Sequence, residues 1–421
     1  MPFFSSSSLE SSHPRTSGES LSEAFLDSSS ARDALPEEYR TQFDELREGI
    51  LAFCHEFDIP NEALKNTKAF GIALRSPKIP QERMAEAVLL FERLEHLVMY
   101  REPLKEMLPK HLQETERLYH LTEQYTAQVA LLEQAGILKE GVITGIDGKR
   151  YPVPTLEQIA SRLLEREPDL QIKRDQGFTK LLLVPFGMSL DSFQDILRKF
   201  LLEYRKTYPY FDLDTSKPLF VASTRYPGAD LTDTPNLIYD PQIFHEEEHG
   251  GKTKSQILEE QANQTDCTTP GWRIHLLQPS DPTDPYSLGF ASIPKKGQER
   301  VYGEEHPRHD LPAGQSPEDY LFFIRNFYNE PDSSYYKESG LTPEDWMMAF
   351  MVHLRETGRP LDEDDYGRNN TSMSYLLGAV FPSLYCVPRA FWFHDGSRVY
   401  LSMADSNVKS DHNGVRTSVI V

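Results

Sequence analysis

From Tyr39 onward apolar residues recur every three or four positions, and Tyr39, Phe43, Leu46, Ile50, Phe53 and Phe57 fall on one helical stripe. Pro36-Glu37-Glu38 is a good acidic helix start, and Asp58-Ile59-Pro60 marks its end. A second helix is predicted over Pro80–Tyr100, with Met84, Val88, Phe91, Leu94 and Val98 on one face. A third carries Leu118, Leu121, Tyr125 and Leu132 and stops at Ala135-Gly136. None of these repeats persists through clean heptads, so they read as the core stripes of an α-helical region over 35–140 rather than as a coiled-coil seam.

The period then shortens. Val142-Ile143 and Tyr151–Val153 flank Asp147-Gly148 as a short hairpin, and Thr155-Leu156-Glu157-Gln158 opens a helix with a capping box and an apolar face of Leu156, Ile159, Leu163 and Leu164. The run 179–185, closed by Pro185, predicts a buried strand, followed by a helix over Leu190–Tyr204. Residues 219–310 mix short apolar runs (219–221, 272–277, 288–293) with Pro, Asp, Thr and Gly, so 141–310 is expected to be a mixed α/β, loop-rich middle region.

The C-terminal section, 311–421, begins with two helices. Ser316-Pro317-Glu318-Asp319 and Thr342-Pro343-Glu344-Asp345 are N-caps with proline in the first turn and acids behind it, and the second helix stops at Thr357-Gly358. From Ser374 the pattern becomes all-β. Phe391–His394, Asp395-Gly396 and Ser397–Leu401 spell strand, type I′ turn and strand, which sets Trp392 opposite Val399 and Phe391 opposite Tyr400. Alternation puts Trp392, Val399, Leu401 and Met403 on one face and Phe391, Phe393, Arg398, Tyr400 and Ser402 on the other. A polar loop, Ala404–Asn413, and a closing strand, Gly414–Val421, complete an α+β chain: an N-terminal helical region followed by a mixed C-terminal domain.

Composition narrows the function classes. Among 421 residues there are 44 Lys plus Arg against 65 Asp plus Glu, a net charge of −21, which repels phosphate backbones and anionic lipid, so neither nucleic acid nor membrane is expected as a partner. Twelve serines in the first thirty positions make 1–34 a disordered leader. The three cysteines, Cys54, Cys267 and Cys386, are far apart and suit neither a disulfide framework nor a thiolate zinc site. With no basic leader and no long apolar run, the expected compartment is the cytoplasm.

Enzyme motifs are sparse. His245-Glu246-Glu247-Glu248-His249 satisfies H-E-x-x-H, in which His245 and His249 would bind zinc and Glu246 would act as base, but Gly250-Gly251 frays the helix and no third histidine follows at the metzincin spacing. Its alternative reading is a charged surface segment. Nucleotide-binding glycine loops and the G-x-S-x-G elbow do not occur, and Asp362-Glu363-Asp364-Asp365 lacks the glycine and distal glutamate of a calcium loop. No cofactor and no enzymatic activity are expected, with a zinc-dependent hydrolase as the alternative.

Two helices, Ser374–Ala379, an aromatic hairpin, a polar loop and a terminal Gly-Val-Arg strand resemble the C-type-lectin-fold domains of diversity-generating retroelement target proteins, in the sulfatase-modifying-factor branch of that fold. The resemblance implies a rigid domain whose ligand-binding face is rewritten at codons containing adenine. Such rewriting cannot produce Met, Trp, Lys, Gln or Glu, and no Glu or Gln follows Glu363, while Trp392 and Met403 fall on the opposite face; poor strand formers are depleted in β-rich tails as well. On this layout the candidate variable, ligand-contacting residues are Tyr385, Phe391, Phe393, His394, Asp395, Ser397, Arg398, Tyr400, Ser402, Asp405, Asn407, Asp411, His412 and Asn413, with Lys409 fixed. The implied partner is a protein or other macromolecule, met by aromatic rings and adaptable polar groups. Formylglycine-generating enzymes share the fold, but their chemistry needs cysteines near the groove and only Cys386 lies here. A further alternative is an interaction scaffold whose hairpin is ordinary core.

Overall fold

The computed structural model describes residues 108–421 except 232–234, 245–248, 265–266, 285 and 365–371, and within the first 107 residues Arg32, Leu35, 39–60 and scattered positions from 63 to 98. The remainder of the expected leader 1–34 lies outside the described residues. The chain divides into two compact units, Met1–Met107 and Leu108–Val421.

In the first unit α1 (Arg40–Glu56) buries Phe43, Leu46, Ile50 and Phe53 against Phe70, Phe91, Leu94 and Leu97, with Phe70 and Phe91 stacked at 4.6 Å. The first two predicted stripes therefore share one core. The third does not belong to it.

That third stripe opens the second unit. After a 3-10 turn at Lys110–Leu112, α2 (Gln113–Tyr119) and α3 (Leu121–Gln134) are separated at His120, which takes a left-handed conformation with φ 50°. Gly136 ends α3 at φ 75°. β1 (Val142–Thr144) and β2 (Arg150–Pro152) form the expected hairpin, and α4 (Leu156–Glu165) begins with the full Thr155/Gln158 capping box. Next come α5 (Glu167–Asp175), β3 (Lys180–Val184), buried along its whole length, and α6 (Leu190–Thr207). β4 (Leu219–Val221), β5 (Ile238–Tyr239), α7 (Lys254–Asn263), β6 (Arg273–Leu277) and the small pair β7 (Val301–Tyr302) and β8 (Arg308–His309) occupy the middle region. Residues 288–293 contribute only an isolated bridge at Phe290, since the turns around Gly289 interrupt any ladder.

The last section contains α8 (Pro317–Tyr328), β9 (Glu338–Gly340), α9 (Pro343–Thr357), β10 (Glu363–Asp364), β11 (Met373–Tyr375), β12 (Ala379–Val380), β13 (Cys386–Phe393), β14 (Arg398–Asp405), β15 (Asn413–Val415) and β16 (Thr417–Ile420). Both proline-bearing N-caps form complete capping boxes, Ser316/Asp319 and Thr342/Asp345, and Gly358 closes α9 at φ 71°.

Two larger sheets organise the unit. One runs β3-β6-β16-β9 with antiparallel neighbours; the other runs β15-β11-β13-β14-β4, with β10 also paired to β13. Helix α9 packs against β3 and β13, and Trp346 to Met351 are all fully buried, as a helix apolar on every side requires. Strands of the 141–310 region pair with strands of the tail: β4 with β14, β5 with β12, β6 with β16. The expected boundaries at 140/141 and 310/311 consequently do not separate compact bodies. One hydrophobic core spans Leu108 to Val421.

The outer edge of β3 is closed by a helix. Gln124 Oε1 accepts from Leu181 N at 2.8 Å and its Nε2 donates to Thr179 O at 3.2 Å; one turn on, Gln128 Oε1 accepts from Leu183 N at 2.8 Å and its Nε2 donates to Leu181 O at 2.7 Å. Four helical residues rise about 6 Å and two strand residues about 7 Å, so side-chain amides at i and i+4 match the strand's own repeat.

Candidate ligand-binding surface

β13 and β14 pair in the register set by alternation, with Trp392 opposite Val399, Phe391 opposite Tyr400 and Phe393 opposite Arg398. The turn differs from the expected type I′. His394–Gly396 form a 3-10 turn and Ser397 takes φ 46°, because the tip is tied to a distant loop: Ser397 Oγ donates to Asp212 Oδ2 at 2.5 Å and Asp214 N donates to Ser397 O at 2.8 Å. Gly396 is required there, since a Cβ would lie 2.6 Å from the Phe393 ring and 2.7 Å from Arg398 Nε.

The face bearing Trp392, Val399 and Leu401 is core, and Trp392 stacks on Phe350 at 6.2 Å and meets Phe211 at 5.2 Å. The opposite face is divided. Towards the hairpin base α8 covers it, setting Tyr320, Leu321 and Ile324 against Tyr375, Val387 and Ala404. Towards the tip lies an aromatic row across three strands: Phe220 is 4.7 Å from Tyr400, which is 5.1 Å from Phe391 and 5.9 Å from Phe393. Cations close the row at both ends, Lys217 Nζ 4.0 Å over the Phe220 ring and Arg389 5.4 Å over Phe391. Arg398 lies 3.5 Å from Asp214, whose carboxyl is held below its ordinary pKa by the Ser216 hydroxyl and by backbone N–H groups of Ser216 and Lys217.

The fourteen candidate residues separate by exposure and by place. Tyr385, Asp395, Asp405, Asn407, Asp411 and His412 are exposed; Phe393, His394, Ser397, Arg398 and Tyr400 are half-buried. Phe391, Ser402 and Asn413 are buried, at 4%, 4% and 2% exposure, and this corrects their assignment as ligand contacts. Ser402 Oγ accepts from Arg389 Nε at 3.0 Å, and Asn413 Nδ2 donates to Tyr375 OH at 2.9 Å, so both serve the fold. Residues 393–398 gather at the hairpin tip, whereas Tyr385, Asp405 and Asn407 lie at its base, roughly 25 Å away along eight-residue strands; Asp411 and His412 lie beside neither, on the loop that enters β15 two strands away from β13. Lys409 reaches Asp319 at 2.9 Å and Gln315 at 3.0 Å.

Sequence reasoning missed Lys217, Phe220 and Arg389. Alternation from Phe391 places Arg389 on the outer face, so that signal was present. Phe220 and Lys217 enter through the parallel pairing of β4 with β14, which no local pattern encodes.

Buried polar groups elsewhere imitate catalytic sets. His275 Nδ1 lies 2.9 Å from Ser418 Oγ and Nε2 lies 3.1 Å from Asp345 Oδ1, the connectivity of a Ser-His-Asp triad, yet all three residues are 0% exposed. Asp345 Oδ2 also accepts from Thr342 N at 2.8 Å as part of the α9 cap, so the chain ties β6 and β16 to that helix. Lys254, fully buried, donates to Asp230 at 2.5 Å, Glu344 at 2.7 Å and Met188 O at 2.7 Å; burial lowers its pKa, but Glu344 and Asp230 overcome this and raise it. Arg308 grips Glu338 with two bonds of 2.8 and 2.9 Å, Lys173 Nζ donates to Glu338 Oε1 at 2.8 Å, and Thr417 Oγ1 donates to Glu338 Oε2 at 2.7 Å. A cavity of about 30 Å³ beside Arg308, Asp310 and Arg416 has room for one water molecule.

Of the H-E-x-x-H segment, His245 and Glu246 lie outside the described residues, and His249 Nδ1 accepts from Gly251 N at 3.0 Å. Among the described residues no group of three or more His, Cys, Asp or Glu is placed to hold a metal ion, and no helix is long and apolar enough to cross a membrane. The chain matches no protein-family model, no curated protein and no solved structure.

Proposed function

We propose that this chain is a non-enzymatic ligand-binding protein whose C-terminal lectin-like hairpin domain displays a diversified surface to a protein or other macromolecule. The observation that carries the reading is the half-exposed aromatic row of Phe220, Tyr400 and Phe393, flanked by Lys217, Arg389 and Arg398, which lies outside the hydrophobic cores while the reverse of the same strands is locked into one. Aromatic rings with arginine supply contact area at small entropic cost, and the adjoining His394, Asp395 and Ser397 supply adaptable hydrogen bonds. A rigid inner face lets the outer one vary without loss of the fold.

Sequencing the 3′ end of the gene across a natural population tests this reading. The expected result is substitution at adenine positions in the codons for Tyr385, Phe393, His394, Asp395, Ser397, Arg398, Tyr400, Asp405, Asn407, Asp411 and His412, sparing Phe391, Trp392, Ser402, Met403 and Asn413. An invariant tail, or variation spread equally over both sets, overturns it.

A further inference from the structure

The C-terminal half of α6 and the loop after it enclose a groove of about 620 Å³, lined by Lys199, Leu202, Glu203, Arg205, Lys206, Pro209 and Thr215. From this we infer a second binding site, distinct from the hairpin surface: a dock for an acidic, extended peptide segment of a protein partner.

Charge is the first reason. In a chain of net charge −21 this groove presents three cations and one acid. Lys199 and Arg205 enter no ion pair among the described residues. The Lys206–Glu203 pair, at 2.6 Å, is an exposed i,i+3 contact of the kind that contributes little and exchanges readily. Arg205 and Lys206 lie in the last turn, where they complement the helix dipole, but Lys199 lies two turns earlier, beyond its reach.

Shape is the second. Lys199 and Lys206 share one side of α6, roughly 10 Å apart along its axis. Carboxylates three residues apart on a peptide in the extended polyproline II form, with three residues per turn and a rise of about 3.1 Å, project from one side and span about the same distance. Between them Leu202, half-buried, and Pro209 offer an apolar floor for the intervening side chain. The loop beyond carries Tyr208 at 50% exposure and Tyr210 at 102%, and tyrosine beside arginine is the composition of an interface anchor. A nucleic acid fits less well, because the acidic remainder of the surface repels a continuous phosphate backbone, whereas a peptide needs only two or three localised charges.

Selection of a random displayed-peptide library on the full chain tests the assignment, repeated on Lys199→Glu/Lys206→Glu and on Lys199→Glu alone. Both lysines are exposed, and circular dichroism with the urea midpoint verifies that each variant is folded. The expected peptides carry Asp or Glu three positions apart around an apolar residue. A representative should weaken by at least about tenfold in the double variant and lose affinity as salt is raised. Recovery of peptides without acidic enrichment, binding unchanged by charge reversal, or a single-stranded oligonucleotide that displaces the peptide and outbinds it overturns the proposal. A tail invariant in natural populations would leave this result untouched, so the two readings fail separately.

Discussion

Glu338 shows how much a single buried charge governs here. Burial alone would raise its pKa, but Arg308 and Lys173 hold it at about 2, against an ordinary 4.5. A carboxyl depressed in the folded state contributes stability that is complete above the unfolded pKa and is lost as pH falls through the folded one. The shift corresponds to about 3 kcal/mol at neutral pH, lost between about pH 4.5 and about 2. Glu338→Gln should cost about 3–5 kcal/mol at neutral pH, since it strands two buried cations, and should flatten the acid dependence in that window; urea unfolding at several pH values measures both. No local pattern marks this residue: its partners lie 165, 30 and 79 positions away. The same holds for Lys254 and His275, whose roles depend wholly on which elements the topology brings together.

At the scale of elements, the hairpin separates what period-two alternation encodes from what it does not. Register followed from the number of residues between Phe393 and Arg398, and the inner face from the apolar run of Trp392, Val399 and Leu401. The exposure of the other face depended on α8 and β4, neither adjacent in sequence. Phe391 is the instructive case, an outer-face ring that is nonetheless covered. Phe391→Ala and Trp392→Ala should each cost about 3–5 kcal/mol, while Tyr385→Ala at the hairpin base should stay within about 0.5 kcal/mol. Denaturation midpoints of the three variants decide this, and a Phe391→Ala protein as stable as the parent would return that residue to the exposed surface. The helices were more legible: Thr155/Gln158, Ser316/Asp319 and Thr342/Asp345 are capping boxes written in four consecutive residues, and each forms as written.

For the whole molecule, composition and periodicity indicated an α+β chain with a helical start and a mixed remainder, but not its division. Helical stripes look alike whichever core they enter, so α3 was grouped with its sequence neighbours although Leu121, Leu131 and Leu132 pack in the second unit. Strand partners were equally hidden, since β6 and β16 meet across more than a hundred residues. It follows that residues 311–421 expressed alone should not fold, lacking β3, β4, β5 and β6, whereas Leu108–Val421 should give a single cooperative thermal transition; circular dichroism and calorimetry on the two fragments measure this. The glutamine pair on α3 has a consequence at this same scale. A sheet edge is a template on which a foreign strand can polymerise, and β3, apolar from Leu181 to Val184, would be a potent seed. By lending it side-chain amides at the strand's own repeat, the chain supplies the missing neighbour from a helix, which has no free edge of its own to offer, so that growth in this direction ends within the molecule.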